Sequence, residues 1–514
     1  MGAEEAAWPF AAGASRYTGC IMKNAFVVCL LAALAAGSAR SADDQAVSLK
    51  IDWNKITRES KTVPTLQVVV NPPLRRGSRI HDRVYEALKG LGADYVRYVP
   101  WLPYPKLGVA ELRAPDADRT YWDFSLIDPM TEDFLKATEG HSVIVNFSTI
   151  PAWMFKTPAP IEYPDDPDQP FWKYTQGTEL RDPTMRELGD YYARLVAWYT
   201  QGGFTDELGK RHESGHHFKI DYWEVFNEVD FEHNMTPEQY TERYDAVVSA
   251  MRKVDPQMKF VALALAEPAR NPRMFEYFLN PKNHQPGIPL DMISYHFYAV
   301  PTADQPPDVQ QYTFFIQADR FLDVVSYIEE IRQRLSPATR TTVNEIGAIL
   351  PGDPGEPGRP PAPIPNSYWN LAGATYAYVF GNLAQLGIDV AGESQLVGYP
   401  TQFPSVSMVD WNSGAPNARF RVLELLHEHF GPGDALLETS VSNPYVYAQA
   451  FRTRAGKREI LLVSKRDRTM TVTLPETGAW EYVDQVTAGG PPATAKVQGS
   501  LTLGGFSVGV LTLQ

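Results

Sequence analysis

A chain of 514 residues with a net charge of -14, 44% hydrophobic and only 21% charged residues has material for a large core and more than one domain. The acidic balance, with no run of Lys and Arg, excludes nucleic acid or an anionic membrane surface as partner, since both need clustered positive charge. From Met22 the chain reads Met-Lys-Asn, then an apolar stretch from Ala25 to Ala36, then small residues from Gly37 to Ser41. This is the pattern of a secretory signal peptide, too short for a membrane span. Residues 1–42 are therefore expected to be a removable leader, and the mature protein to be secreted or periplasmic with no membrane segment. Both cysteines, Cys20 and Cys29, fall inside the leader, so the mature chain has no disulfide and no thiol nucleophile.

After the leader comes an N-terminal segment, 43–65, in which Val47 to Trp53 is placed to add a strand to a later sheet. Short apolar runs then alternate with helical patterns. The runs are Leu66 to Val70, Tyr95 to Tyr98, Val143 to Phe147, Tyr222 to Phe226, Phe260 to Leu265, Met292 to His296 and Thr341 to Val343, with an eighth between Val390 and Val397. Nearly continuous β-branched runs suit a parallel sheet covered by helices. Thr236-Pro237-Glu238-Gln239 predicts a helix start, with Thr236 as N-cap, Pro237 at the first helical position and Gln239 closing a capping box. Phe321, Val324, Val325, Ile328, Ile331 and Leu335 make one apolar helical face. Eight strand–helix units over residues 66–430 predict a (β/α)8 barrel. A doubly wound sheet usually has a Gly-rich turn after its first strand, and here Asn71-Pro72-Pro73 stands there. The Pro-rich stretch Pro351 to Pro365 reads as a long loop after the seventh strand. From residue 431 to 514 only short strands with Gly and Pro turns remain, which predicts an antiparallel β-sandwich. Its role is open between a brace for the barrel and a contact in a homo-oligomer.

Barrel chemistry sits at the C-terminal ends of strands. One strand pattern ends on Asn227-Glu228, and another, Thr341-Thr342-Val343-Asn344-Glu345, also ends on a glutamate. Two carboxylates at one barrel mouth are what cleavage of a glycosidic bond requires, and in retaining enzymes they stand about 5 Å apart.

The run Trp223-Glu224-Val225-Phe226-Asn227-Glu228 resembles the acid/base motif of clan A glycoside hydrolases, and more particularly of family 39, which contains β-xylosidases and α-L-iduronidases. Tyr95-Val96-Arg97-Tyr98, Trp122 to Asp128, and Ser294-Tyr295-His296-Phe297-Tyr298 resemble further motifs of that family in the same order. The resemblance implies Glu228 as general acid and base, Glu345 as nucleophile, and Asn227 on the sugar 2-hydroxyl. It also implies that Arg97 and Tyr298 keep Glu345 ionised and that His296 lines the pocket. The expected reaction is retaining hydrolysis of an oligo- or polysaccharide, β-xylosidase-like, with no cofactor and no metal. Two departures leave the substrate open: Val99 stands where the family often has His, and Asn344 and Ile346 flank the nucleophile in place of Thr and Trp. Among the aromatics of the mouth loops (Trp101, Tyr104, Trp153, Trp172, Trp369, Trp411), Trp153 and Trp369 are the chosen candidates for a sugar platform.

Other readings compete. The long Pro-rich loop favours end-trimming over internal cleavage, with an endo-acting hydrolase as the alternative. A silent carbohydrate-binding barrel is disfavoured because both carboxylates are present. His212-Glu213-Ser214-Gly215-His216 matches the zinc-protease pattern, but Gly209 and Gly215 oppose the helix that such a site needs, so a solvated loop is expected.

Overall fold

The computed structural model describes residues 46–172, 177–353 and 363–514. The leader, 1–42, and most of the Pro-rich stretch lie outside the described residues. The strands, in chain order, begin with β1 (Val47–Glu59), β2 (Val63–Val69), β3 (Val96–Val99), β4 (Val143–Val145), β5 (Gly203–Thr205), β6 (Arg211–Glu213) and β7 (Tyr222–Glu224). They continue with β8 (Lys259–Leu265), β9 (Met292–Ala299), β10 (Arg340–Ala348) and β11 (Val390–Glu393). The last eight are β12 (Ala435–Val441), β13 (Val446–Arg452), β14 (Arg458–Ser464), β15 (Met470–Thr473), β16 (Gly478–Val483), β17 (Ala493–Val497), β18 (Ser500–Leu503) and β19 (Val508–Leu513).

Eight of them close a parallel barrel in the order β10-β11-β2-β3-β4-β7-β8-β9. Helices cover it, and one helix start follows a local rule in full. Helix Pro237–Val254 opens on Thr236, whose hydroxyl accepts from the Gln239 amide while the Gln239 side chain accepts from the Thr236 amide. Both bonds satisfy donors that a helix start leaves open.

The remaining large sheet has nine strands, in the order β17-β16-β19-β14-β13-β12-β1-β15-β18, and is antiparallel except where β1 runs parallel to β15. Alternation along β14 explains its place. Ile460 and Leu462 join the apolar core of the sandwich, with Val47, Leu437 and Trp480. Leu461 and Val463 point the other way, into the core of the barrel. Helix Asn366–Leu386 fills the space between and is apolar nearly all round, as a helix packed on two sides must be. Its Gly381 lies so close to Tyr447 of β13 that a Cβ would stand 2.4 Å from the phenol oxygen.

Candidate active site

The inner layer of the barrel is polar, and Arg97 of β3 is its hub. Fully buried, it donates from Nε to Glu224 at 2.5 Å, from Nη1 to Gln67 at 2.6 Å and to Glu345, and from Nη2 to Asn227 at 2.7 Å. Glu224, at the end of β7, also accepts from Asn146 (2.6 Å), Ser294 (2.6 Å) and Asn344 (2.7 Å). Four strands, with the residue that follows β4, thus meet on one carboxylate, and Arg97 and Glu224 are charged partners, the condition for burying them.

Local irregularities aim the two glutamates. In a regular strand Asn344 and Glu345 would face opposite ways. The register of β10 on β9 slips between Val343 and Glu345, and this bulge lets both side chains enter the same network. After β7 the backbone becomes left-handed at Phe226 (φ 68°) and Glu228 (φ 41°), turning Glu228 toward the mouth. A second bulge, in β8 at Leu263 and Ala264, supplies the Ala264 carbonyl that accepts from the Glu228 amide at 2.8 Å.

His296 of β9 sits between the two acids, with Nδ1 3.0 Å from Glu228 and 3.5 Å from Glu345. The acidic oxygens and this nitrogen all lie within 4.8 Å of one another. The other imidazole nitrogen, Nε2, is buried with no partner among the described residues. Tyr298 donates to Glu345 at 2.5 Å and accepts from Ser394 at 2.6 Å. The electrostatics differ between the two acids. Burial raises the Glu228 carboxyl above its ordinary range, and repulsion from Glu345 adds to this against the pull of His296. Burial also opposes charge on Glu345, but His296, Arg97 and Tyr298 outweigh it and hold that carboxyl below its ordinary range. A cation would find Glu228, His296 and Glu345 close enough to serve as ligands. Glu345 already receives the Arg97 guanidinium on one oxygen and the Tyr298 hydroxyl on the other, which leaves each oxygen one further lone pair.

Asn227, Arg97, His296, Tyr298, Glu228 and Glu345 are brought together. Trp153 and Trp369 are not: among the described residues, no hydrogen bond or ring contact joins either to this network. Trp153 donates to the Glu111 carbonyl at 2.9 Å and its ring lies under Arg181. Trp369 lines a separate cleft with Asn366, Asp410 and Gly489. The aromatic wall beside the acids is instead Trp101, Trp172 and Phe403, which share an apolar cluster with Val99 and Tyr298. Trp101 also donates to Glu232 at 2.7 Å, and Glu232 accepts from Asn227 at 2.9 Å. Burial, with repulsion from Glu228, pushes Glu232 up to about 8.

Sequence reasoning missed Gln67, Asn146, Glu224, Glu232 and Ser394. The signal available was a lone polar residue inside an apolar strand run, as at Gln67 and Glu224. The zinc-like motif is dispersed. His212 lies on β6, paired with β5 in a hairpin rather than in the expected loop, and bonds Asp206 at 2.8 Å, whereas His216 bonds Asp128 at 3.0 Å.

Residues 172–323 match the alpha-L-arabinofuranosidase 1 domain, a span that includes Glu228, His296 and Tyr298 and stops short of Glu345. No curated protein sequence matches the chain. Among solved structures, the chain is similar to the GH51 arabinofuranosidase from Xanthomonas axonopodis pv. citri (14% identity, TM-score 0.63, covering 91% of this chain and 100% of that one). It is similar to the alpha-L-arabinofuranosidase from Thermotoga maritima in its arabinose complex (13%, TM-score 0.58, 91% and 99%). A GH30 endoxylanase from Clostridium papyrosolvens C71 is also similar (14%, TM-score 0.55, 91% and 100%). At these identities the likeness is one of fold.

Proposed function

We propose that this glycosidase cleaves terminal pentosyl units from plant-type polysaccharide fragments by double displacement, with Glu345 as nucleophile and Glu228 as acid and base. The observation that carries the reading is the pair of carboxylates within 4.8 Å, bridged by His296, with their proton affinities shifted in opposite directions. That separation suits retention; inversion needs roughly 6.5–9.5 Å to admit a water.

In the first step a Glu345 oxygen attacks the anomeric carbon as the bond to the leaving oxygen breaks, and the Glu228 proton passes to that oxygen. Esterified Glu345 has lost its charge, so the repulsion that raised Glu228 disappears. Glu228, now a carboxylate, takes a proton from water, whose oxygen attacks the anomeric carbon and releases Glu345. Asn227, oriented by Arg97 and Glu232, meets the 2-hydroxyl, and the unpartnered Nε2 of His296 meets a second hydroxyl.

An α-L-arabinofuranoside is the first substrate to test, supported by the match over residues 172–323. A β-xyloside, in the manner of family 39, is the second, supported by the resemblance of the Ser-x-His-x-Tyr run on β9. The composition of Met22 to Ser41 supports export of the mature chain. The test is release of 4-nitrophenol from α-L-arabinofuranoside and β-D-xyloside, with the anomer of the first-formed sugar followed by proton NMR. Retention on either is expected. Inversion, or no turnover of these and of arabinan and arabinoxylan, would overturn the reading.

A further inference from the structure

Outside the acid network, the cleft that holds Trp369 is built from three segments of both domains. Asn366, Trp369 and Asn370 come from the first turns of helix Asn366–Leu386. Asp410 and Ala415 to Ala418 come from the connection after β11, and Ala488 and Gly489 from the turn after β16. Its volume is about 250 Å³, and none of its lining residues belongs to the acid network.

The cleft has fixed walls. A Cβ on Gly489 would stand 2.2 Å from the Pro416 carbonyl, so the sandwich turn presses backbone to backbone on the barrel loop. Arg421 holds that turn by donating to the Gly489 carbonyl at 3.0 Å, and the Asp484 carboxylate shapes it by accepting from the Val486 and Thr487 amides. Tyr368 meets the Trp369 ring edge-on at 5.2 Å and is itself anchored on the Ala348 and Ser405 carbonyls.

The cleft also has polar groups without protein partners. Asn370 is 1% exposed, yet among the described residues neither its amide oxygen nor its amide nitrogen has a hydrogen-bond partner. Buried amides are normally paired, so this one points to something else in the cleft. Trp369 is half-buried and contributes a ring face. Asp410, an exposed residue of the lining, is held in place by its Oδ1, which accepts from Asn412 and Ser413. Among the described residues no Lys or Arg lines the site, so the lining favours an uncharged ligand over an anion. An aromatic face, a donor–acceptor amide and one carboxylate acceptor match the C–H faces and hydroxyls of an uncharged sugar.

We propose that this cleft is a second carbohydrate-binding site, taking a neutral glycosyl unit of the polymer apart from the unit being cleaved. That the ligand is the polymer rests on the glycosidase reading; the cleft itself does not. The test is affinity electrophoresis of the full mature chain carrying Glu345→Gln, in gels containing arabinoxylan, arabinan or xylan. Retardation by at least one polymer is expected, weakened about tenfold by Trp369→Ala, which removes the stacking face. Asn366→Arg, a change at an exposed position, fills the cleft from the surface and guards against a folding defect in the first variant. In the chain with Glu345 intact, both substitutions leave kcat/KM on the aryl glycoside unchanged. Retardation unaffected by either substitution, or absent for every polymer while aryl glycosides are hydrolysed, overturns the proposal. Failure on aryl glycosides with cleft-dependent retardation overturns the active-site reading instead.

Discussion

Arg97 is shared by two carboxylates: its Nε serves Glu224 and its Nη1 serves Glu345. One guanidinium therefore links the acid proposed to react to one that only positions. Glu224 is fully buried and is tied up by Arg97, Asn146, Ser294 and Asn344.

The sharing has a measurable result. Arg97→Lys loses the fork geometry and is expected to lower kcat/KM by about a hundredfold. Because Arg97 helps hold Glu345 below its ordinary range, the acidic limb of the pH profile should move upward. Glu224→Gln leaves the Arg97 charge less divided, so that limb should move downward. A limb that stays in place in both variants would reduce Arg97 and Glu224 to scaffolding.

Glu228 and Glu345 should report on each other. Glu345→Gln removes a negative charge beside Glu228, whose proton affinity should fall, as followed by carbon-13 NMR titration of its carboxyl. Glu345→Gly should be inactive and regain turnover of an activated aryl glycoside with azide. Glu228→Ala should lose about 10²- to 10⁴-fold on poor leaving groups and far less on very good ones. Near-normal activity of either variant on polysaccharide would remove it from the proposed pair.

A histidine at the junction of the two domains makes stability depend on pH. His429, the last residue of helix Ala418–His429, lies 3.2 Å from Glu459 of β14 and 3.3 Å from Glu481 of β16. Burial opposes its charge, but the two glutamates outweigh burial and raise its pKa. A raised folded pKa gives stability that is full below the unfolded value of about 6.5 and is lost as pH rises through the folded value. His429→Gln should therefore lower the urea midpoint more at pH 6 than at pH 9. Equal losses at both would show that the ion pairs add nothing.

The capping box at Thr236 should be worth about 1 kcal/mol, the usual cost of replacing a capping threonine with alanine. Thr236→Ala should show that loss in urea denaturation and leave kcat/KM on aryl glycosides unchanged, since the helix lies on the outside of the barrel.

The barrel was legible because its strands are buried on both faces and read as apolar runs. The capping box was legible because its bonds are local. Arg97, Asn227, His296 and Tyr298 were reached through the motifs that resemble those of a known family. Glu224 was not, because Glu228 four residues later offered a plainer chemical role, and the partners of Glu224 come from β3, β9, β10 and the residue after β4. The two tryptophans show the limit most directly. An aromatic in a loop after a barrel strand can turn inward or outward, and spacing carries no sign of which. Trp101 and Trp172 were decided by Phe403, far along the chain, and Trp369 by a turn of the sandwich.

The place of β1 has a consequence for how the chain comes together. Leu49 pairs with Val441 and Val47 with Val472, so a strand made before the barrel is central to a sheet completed after it. As the chain emerges N-terminus first, this strand has no partner until the final strands arrive, and its unpaired edges are open to strangers. The order of synthesis therefore leaves β1 waiting through the whole barrel, and excising 66–430 would part the barrel from the sheet in which β1 pairs with both β12 and β15.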